Sequence, residues 1–269
     1  MKKIFDRDTW DEIFESISKN RTRTIITSIG VFWGIFIYIA LAGSATGLEN
    51  GFDDAFSGLS KNSMGVWVQR TSIPYKGFEE GRYPVFKLND VDYLKSRVPE
   101  IEYIAPGLQA GAFTGSPPLV VRGLKSDNFN VFGKFPVNAK ISVINIFDGG
   151  RYINDDDIKY ERKVAVIGEG TQERLFNVGE DPIGKYIRIN DVNFMVVGVT
   201  KFTEGSGFGS DSDITIPYTT FAKMYNRGDQ FGFMFISGYE YVNPNYLEET
   251  VLNTPVSYTH LTLPTILLV

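Results

Sequence analysis

An α+β fold, with one N-terminal transmembrane helix followed by a two-lobed mixed α/β extracytoplasmic domain, is predicted by three observations. Residues 24–48, TIITSIGVFWGIFIYIALAGSATGL, form an uncharged, apolar run of 25 positions. Beyond it, short strand-like and helix-like patterns follow one another in an order that mixes αβ and ββ connections. Glycine is frequent, at 27 of 269 residues, and Pro and Asn cluster between apolar runs, as in packed strand-rich domains and unlike disordered tails.

Residues 1–23 form the first segment. Trp10, Ile13, Phe14 and Ile17 recur at helical spacing, Thr9 and Glu12 are spaced as a capping box, and Asp11, Glu12, Glu15, Ser18 and Lys19 fall on other faces. This predicts an amphipathic helix at the cytoplasmic headgroup surface, or one packed on another protein. Residues 24–48 follow as a span, since a helix rising about 1.5 Å per residue over that length exceeds the roughly 30 Å hydrocarbon core. Lys19, Arg21 and Arg23 precede the run, whereas Glu49, Asp53 and Asp54 follow it, so the positive-inside rule places the N-terminus in the cytoplasm and the main domain outside. A cleaved signal peptide is the competing reading. Against it stand the five carboxylates of the preceding segment and a run longer than an ordinary signal core. Within the span, Gly30 and Gly34 make a GxxxG spacing, with Thr27 and Ser28 nearby, against which another helix can pack.

Residues 49–251 are assigned to the outer domain, long enough to bury a real core. The span is expected to continue as a helix to about Gly58. Residues 64–69 read as a strand, 88–97 as a helix opened by Asn89 or Asp90 and stopped before Pro99, and 101–105 and 119–122 as strands. Residues 164–167 read as a buried strand and 170–176 as a short helix. Residues 186–189 and 194–199 read as a hairpin around Asn190 and Asp191, 214–216 as a strand, and 219–225 as a last short helix. Pro182 fixes φ, and Gly184 supplies a positive φ for a turn launching the 186–189 strand. Gly168 and Gly198 end buried strands where a side chain would obstruct the next element. These four are read as determinants of the fold and carry no chemistry.

Composition narrows the function classes. There is no cysteine, so neither disulfides nor thiolate chemistry is available, and the single His260 leaves no nucleophile-base pair. No catalytic, cofactor-binding or metal-binding residue is assigned. Residues 155–157 (DDD) and the pair Asp211 and Asp213 lack the spacing of a calcium loop and read as solvated turns. The glycines at 205, 207 and 209 lack the GK[ST] of a phosphate-binding loop and read as a flexible loop; any ATPase would be another chain. A net charge of −5 disfavours nucleic acid as a partner.

Several pieces, in order, resemble one family. Asn20 and Arg21 before the span, VAVIG at 164–168, Leu175 and Phe176, DPIGKYIRI at 181–189 and FMVVGV at 194–199 closely resemble the MacB-like periplasmic core domain of FtsX-like ABC transporter permeases. The resemblance implies a permease subunit, present as its N-terminal part, in a bacterial inner membrane. It implies pairing with a second permease copy and a cytoplasmic ATPase subunit that supplies ATP hydrolysis, and in some members a periplasmic adaptor protein. The outer domain would relay conformational change for export of antimicrobial compounds, peptides or lipoproteins. The alternative is a single-span, membrane-anchored envelope binding or assembly protein without transport activity. Residues 252–269, LNTPVSYTHLTLPTILLV, depart from the family pattern and are expected to be foreign to it.

Overall fold

The apolar run lies inside one long helix. The computed structural model describes residues 7–56, 62–67, 79, 81, 85–111, 115–202, 209–254 and 266–268, and divides into two units, Met1–Phe52 and Asp53–Val269. In the first, α1 (Arg7–Lys19) carries Trp10, Phe14 and Ile17 exposed, with the Trp10 and Phe14 rings 6.4 Å apart. The helix is already under way at Arg7, so Thr9 lies within it. An N-cap needs non-helical dihedrals, and the capping box expected at Thr9 is therefore corrected.

Helix α2 (Arg21–Phe56) contains the stretch Arg21–Leu48, which has a mean hydropathy of 2.2, has none of its most apolar window buried, and is long and apolar enough to cross a membrane. The Thr27 and Ser44 hydroxyls donate to the carbonyls of Arg23 (2.7 Å) and Ala40 (2.8 Å), so neither needs a partner outside the helix. The helix continues beyond the apolar run to Phe56, as expected, and Gly58, where it was expected to end, lies outside the described residues.

In the second unit the strands are β1 (Ser63–Trp67), β2 (Phe86–Lys87), β3 (Ile101–Ala110), β4 (Leu119–Arg122), β5 (Lys125–Asn128), β6 (Val131–Lys134) and β7 (Val164–Gly168). They continue with β8 (Tyr186–Ile189), β9 (Val192–Thr200), β10 (Ile214–Pro217), β11 (Gln230–Phe231), β12 (Phe233–Gly238) and β13 (Ile266–Leu268). The helices are α3 (Leu88–Arg97), α4 (Asn138–Ile141), α5 (Asp155–Lys159), α6 (Glu169–Leu175), α7 (Tyr218–Met224) and α8 (Pro244–Asn253). Among the described residues one sheet runs β13-β1-β12-β3-β6-β10-β7-β9-β8-β4-β5, with β2 and β11 as a separate pair. The pairings are antiparallel except β6 with β10 and β7 with β9. Strand β3 belongs to both halves: Ile101–Gly107 pairs with β12, and Leu108–Ala110 with β6. Pro106, which has no amide hydrogen for a ladder, sits just before the change of partner.

The sheet's two faces are legible in the alternation. Met64, Val66, Leu108, Val131, Ile167, Ile214, Ile216, Met234 and Ile236 point to one face, where they form one cluster with Leu94 of α3, Leu175 of α6, Phe221 of α7 and Leu247 of α8. Over β7 and β9 the other face is covered by a smaller cluster of Ile153, Val164, Val166 and Val197. The strap bearing Ile153 is held by bonds from the backbone of Phe147 to Val199 (2.9 Å), Arg151 to Val197 (2.8 Å) and Lys201 to Asn145 (2.9 Å).

Local signals explain the ends. Asp90 accepts from the backbone N–H of Lys87 at 2.8 Å, so Lys87 is the N-cap of α3, and neither Asn89 nor Asp90 is. Asn190 and Asp191 adopt φ of 42° and 64° in the β8–β9 turn, the left-handed pair that a two-residue hairpin needs. Helix α8 opens on Asn243, which accepts from Asn245, with Pro244 at the first helical position. It runs to Asn253, and Ile266–Leu268 pairs antiparallel with Met64–Val66. Gly205, Gly207 and His260 lie outside the described residues.

Candidate functional site

The positions singled out as fold determinants gather around β9. Gly168 ends β7 where the 211–213 turn docks: its N–H donates to the Asp213 carbonyl and that of Gly170 to Asp211, each at 2.9 Å. A Cβ at Gly168 would overlap the Asp211 carbonyl oxygen, and one at Gly198, inside β9, would overlap the carbonyl oxygen of Arg151. Gly184, at φ 78°, is the third residue of a turn closed by Lys185 N–H to the Pro182 carbonyl at 3.1 Å. Its own N–H bonds to Val196 at 2.8 Å, which aligns β8 beside β9. Gly30 and Gly34 lie in α2, where a Cβ at either would meet nothing within 4 Å.

Two ion-pair hubs brace this region. Asp157, whose side chain is fully buried, accepts from both Arg151 nitrogens (2.6 and 3.0 Å) and from the Asn154 backbone N–H (3.0 Å), with Arg162 at 3.5 Å. Burial raises its pKa, but the Arg151 and Asn154 hydrogen bonds outweigh it and bring the carboxyl below its ordinary value. The reading of 155–157 as solvated turns is thus corrected at Asp157, because the three carboxylates open α5 and the third folds back to cap it. Glu180 accepts from Lys185 (2.5 Å), from the Asn177 backbone (3.0 Å) and from both Arg122 nitrogens, which together lower its pKa to about 2.

The part of the second sheet face that no other described residue covers forms a cleft of about 180 Å³. Its floor is a row of rings from three strands: Phe132 to Phe233 (6.2 Å, edge-on), Phe233 to Phe235 (5.8 Å) and Phe235 to Trp67 (5.8 Å, edge-on). The row fits because Gly107 and Gly65 leave room, the Phe233 ring occupying the space of a Cβ on Gly107 and the Trp67 ring that on Gly65. Lys134 and Asp213 line the same cleft, the Lys134 ammonium 4.9 Å from the centre of the Phe132 ring. Burial lowers the pKa of Lys134, with Asp213 opposing the shift, and burial raises that of Asp213. Asp213 accepts from the Ser210 backbone (2.7 Å) and Asn130 (3.3 Å), so the second carboxylate pair is not a free solvated turn at Asp213 either. This cleft is not legible in the sequence alone. The alternation of Phe233 and Phe235 and of Phe132 and Lys134 was the available signal, and it became meaningful only once β6 and β12 were placed across β3.

In chain order a mixed α/β unit follows a helix long and apolar enough to cross a membrane. The sequence profile of the MacB-like periplasmic core domain matches residues 24–251, and the chain belongs to that family. It is 27% identical over 216 residues to a macrolide export ATP-binding/permease protein of Chlorobium phaeobacteroides, covering 78% of this chain and 31% of the relative. It is 25% identical over 205 residues to a pyoverdine export ATP-binding/permease protein of Pseudomonas entomophila, covering 74% and 29%. The chain thus spans about a third of the length of these relatives. In fold it is similar to the periplasmic region of MacB from Actinobacillus actinomycetemcomitans, with a TM-score of 0.62 at 20% identity over 78% of this chain and 90% of the other. It is also similar to the extracellular domain of the ABC-type transporter YknZ from Gram-positive bacteria, with a TM-score of 0.55 at 15% identity over 71% and 89%.

Proposed function

We propose that this chain is the N-terminal part of an ABC exporter permease, anchored in the bacterial inner membrane by α2 with its N-terminus in the cytoplasm. The family match across 24–251 carries the reading. In it, α2 is the first span, the outer unit relays the conformational change driven by ATP hydrolysis in a cytoplasmic ATPase subunit, and a second permease copy completes the pair. A periplasmic adaptor is a further partner. Relatives named for macrolide and pyoverdine export favour an amphipathic small molecule as cargo over a lipoprotein. The chain itself performs no catalysis in this reading.

Topology and transport are tested together. The sequence has no cysteine, so Lys3→Cys and Asp191→Cys each introduce a unique thiol, the second at a side chain that is 96% exposed. A membrane-impermeant maleimide on intact cells with a permeable outer membrane should label the second and spare the first. Deletion of the gene should increase sensitivity to macrolides or raise intracellular siderophore, and an ATPase should co-purify with the product. Correct topology with neither transport phenotype nor ATPase would instead support a single-span envelope protein.

A further inference from the structure

The cleft on the open sheet face has an unequal distribution of hydrogen-bond partners. Among the described residues the carboxylates that line it, Asp211 and Asp213, already have donors: Asp211 accepts from the Ser210 (3.2 Å) and Ser212 (2.7 Å) hydroxyls, Asp213 from Ser210 N–H in its own turn and from Asn130. The two ammonium groups that line it, Lys134 and Lys201, have no acceptor within hydrogen-bond distance among the described residues. An ammonium carries three donors and no acceptor, and a partly desolvated one gains most from an anionic acceptor. Lys201 is exposed and has water for a partner; Lys134 is partly buried, with the Phe132 face beside it.

We propose that this cleft binds a small amphipathic carboxylic acid, its carboxylate on Lys134 and its apolar body on the Phe132, Phe233 and Phe235 rings. The size agrees: about 180 Å³ holds one ring with a short chain. The chemistry agrees as well, since binding pockets pair an apolar wall with a few placed polar groups. A cation is disfavoured because the acidic groups are already satisfied while the ammonium is not. The inference stands apart from the transport reading, because the site lies within one folded unit and needs neither ATPase nor second copy.

The test is calorimetric titration of the detergent-solubilised full chain with 3-phenylpropionate, N-acetylphenylalanine, phenethylamine and benzyl alcohol. The two acids should bind with millimolar or tighter affinity, and the amine and alcohol at least about tenfold more weakly, the difference expected for one charge-assisted hydrogen bond. Tighter binding of 3-phenylpropionate would point to a free acid as the natural ligand, and tighter binding of N-acetylphenylalanine to a peptide C-terminus. Lys134→Met keeps the stem and removes the charge, and should lose about tenfold or more in acid affinity with no loss of thermal stability. Asp213→Asn removes the nearby negative charge and should tighten acid binding. Acid heats that survive Lys134→Met, equal binding of the amine, or no saturable binding at millimolar concentration would each overturn the proposal; the first would mark partition into the micelle.

Discussion

Asp157 grips Arg151 through both carboxylate oxygens, at 2.6 and 3.0 Å, and so holds the strap whose backbone crosses Gly198. Removing either side chain has unequal consequences. Arg151→Ala leaves a fully buried carboxylate with only the more distant Arg162 to neutralise it, whereas Asp157→Ala leaves an arginine that reaches solvent. Loss of a buried partner costs about 3 kcal/mol. Both variants should lower the unfolding midpoint, Arg151→Ala with the larger loss at neutral pH and a smaller one in acid, as the Asp157 carboxyl protonates. Urea unfolding at neutral and at acid pH checks this.

Gly198 and Gly184 should fail for different reasons. A methyl group at Gly198 has no room against the Arg151 carbonyl, so Gly198→Ala is expected to cost about 1–3 kcal/mol through overpacking, and no other side chain should do better. Gly184 has open space around its Cβ position but a φ of 78°. Gly184→Ala should therefore cost roughly 1 kcal/mol, and Gly184→Asn clearly less, because Asn tolerates the left-handed region. Equal losses for Ala and Asn at 184 would contradict the turn geometry.

Glu180 sets an acid limit on stability. Its folded pKa of about 2 lies below the ordinary 4.5, so its contribution is fully present above about pH 4.5 and disappears as the pH falls towards 2. Wild type should lose stability across that window, and Glu180→Gln should lose less, the two curves converging near pH 2. Parallel curves would show that Lys185 and Arg122 do not stabilise the charged form.

The GxxxG face of α2 gives a membrane test. With no native cysteine, Gly34→Cys should form a disulfide-linked dimer in oxidised membranes if a second copy packs there, and Phe32→Cys, about 200° round the helix from Gly30 and Gly34, should not. Crosslinking of both at similar yield would indicate random collision.

Much of the fold was legible because its elements carry local signals. The 88–97 helix, the 119–122 strand and the hairpin at Asn190 and Asp191 appear within a residue or two of expectation. What escaped lacked such signals. Lys125–Asn128 has no apolar residue, and becomes β5 only because β4 offers it an edge. Residues 155–157 look solvated in sequence, since nothing local shows that Arg151 and Arg162 will converge on the third carboxylate. Gly168, at the end of β7, and Gly184, at φ 78°, were readable from their residue types, whereas Gly198 was expected to end a strand and lies inside β9, which runs on to Thr200. The cleft was not, since its rings stand at 67, 132, 233 and 235 and meet only across three strands.

Strand β3 changes partner between Gly107 and Leu108, and the two halves of the sheet are joined there by three residue pairs, Leu108 with Gly133, Gln109 with Phe132 and Ala110 with Val131. In mechanical terms this is a narrow section of the ladder, three pairs against the six that the rest of β3 makes with β12. Phe221 presses on Gly133 from one side, while Phe132 stands on the other among the rings of the cleft. Any change of angle between the halves must therefore open or narrow the space above Phe132, so that occupancy of the cleft and curvature of the sheet are tied to the same three pairs.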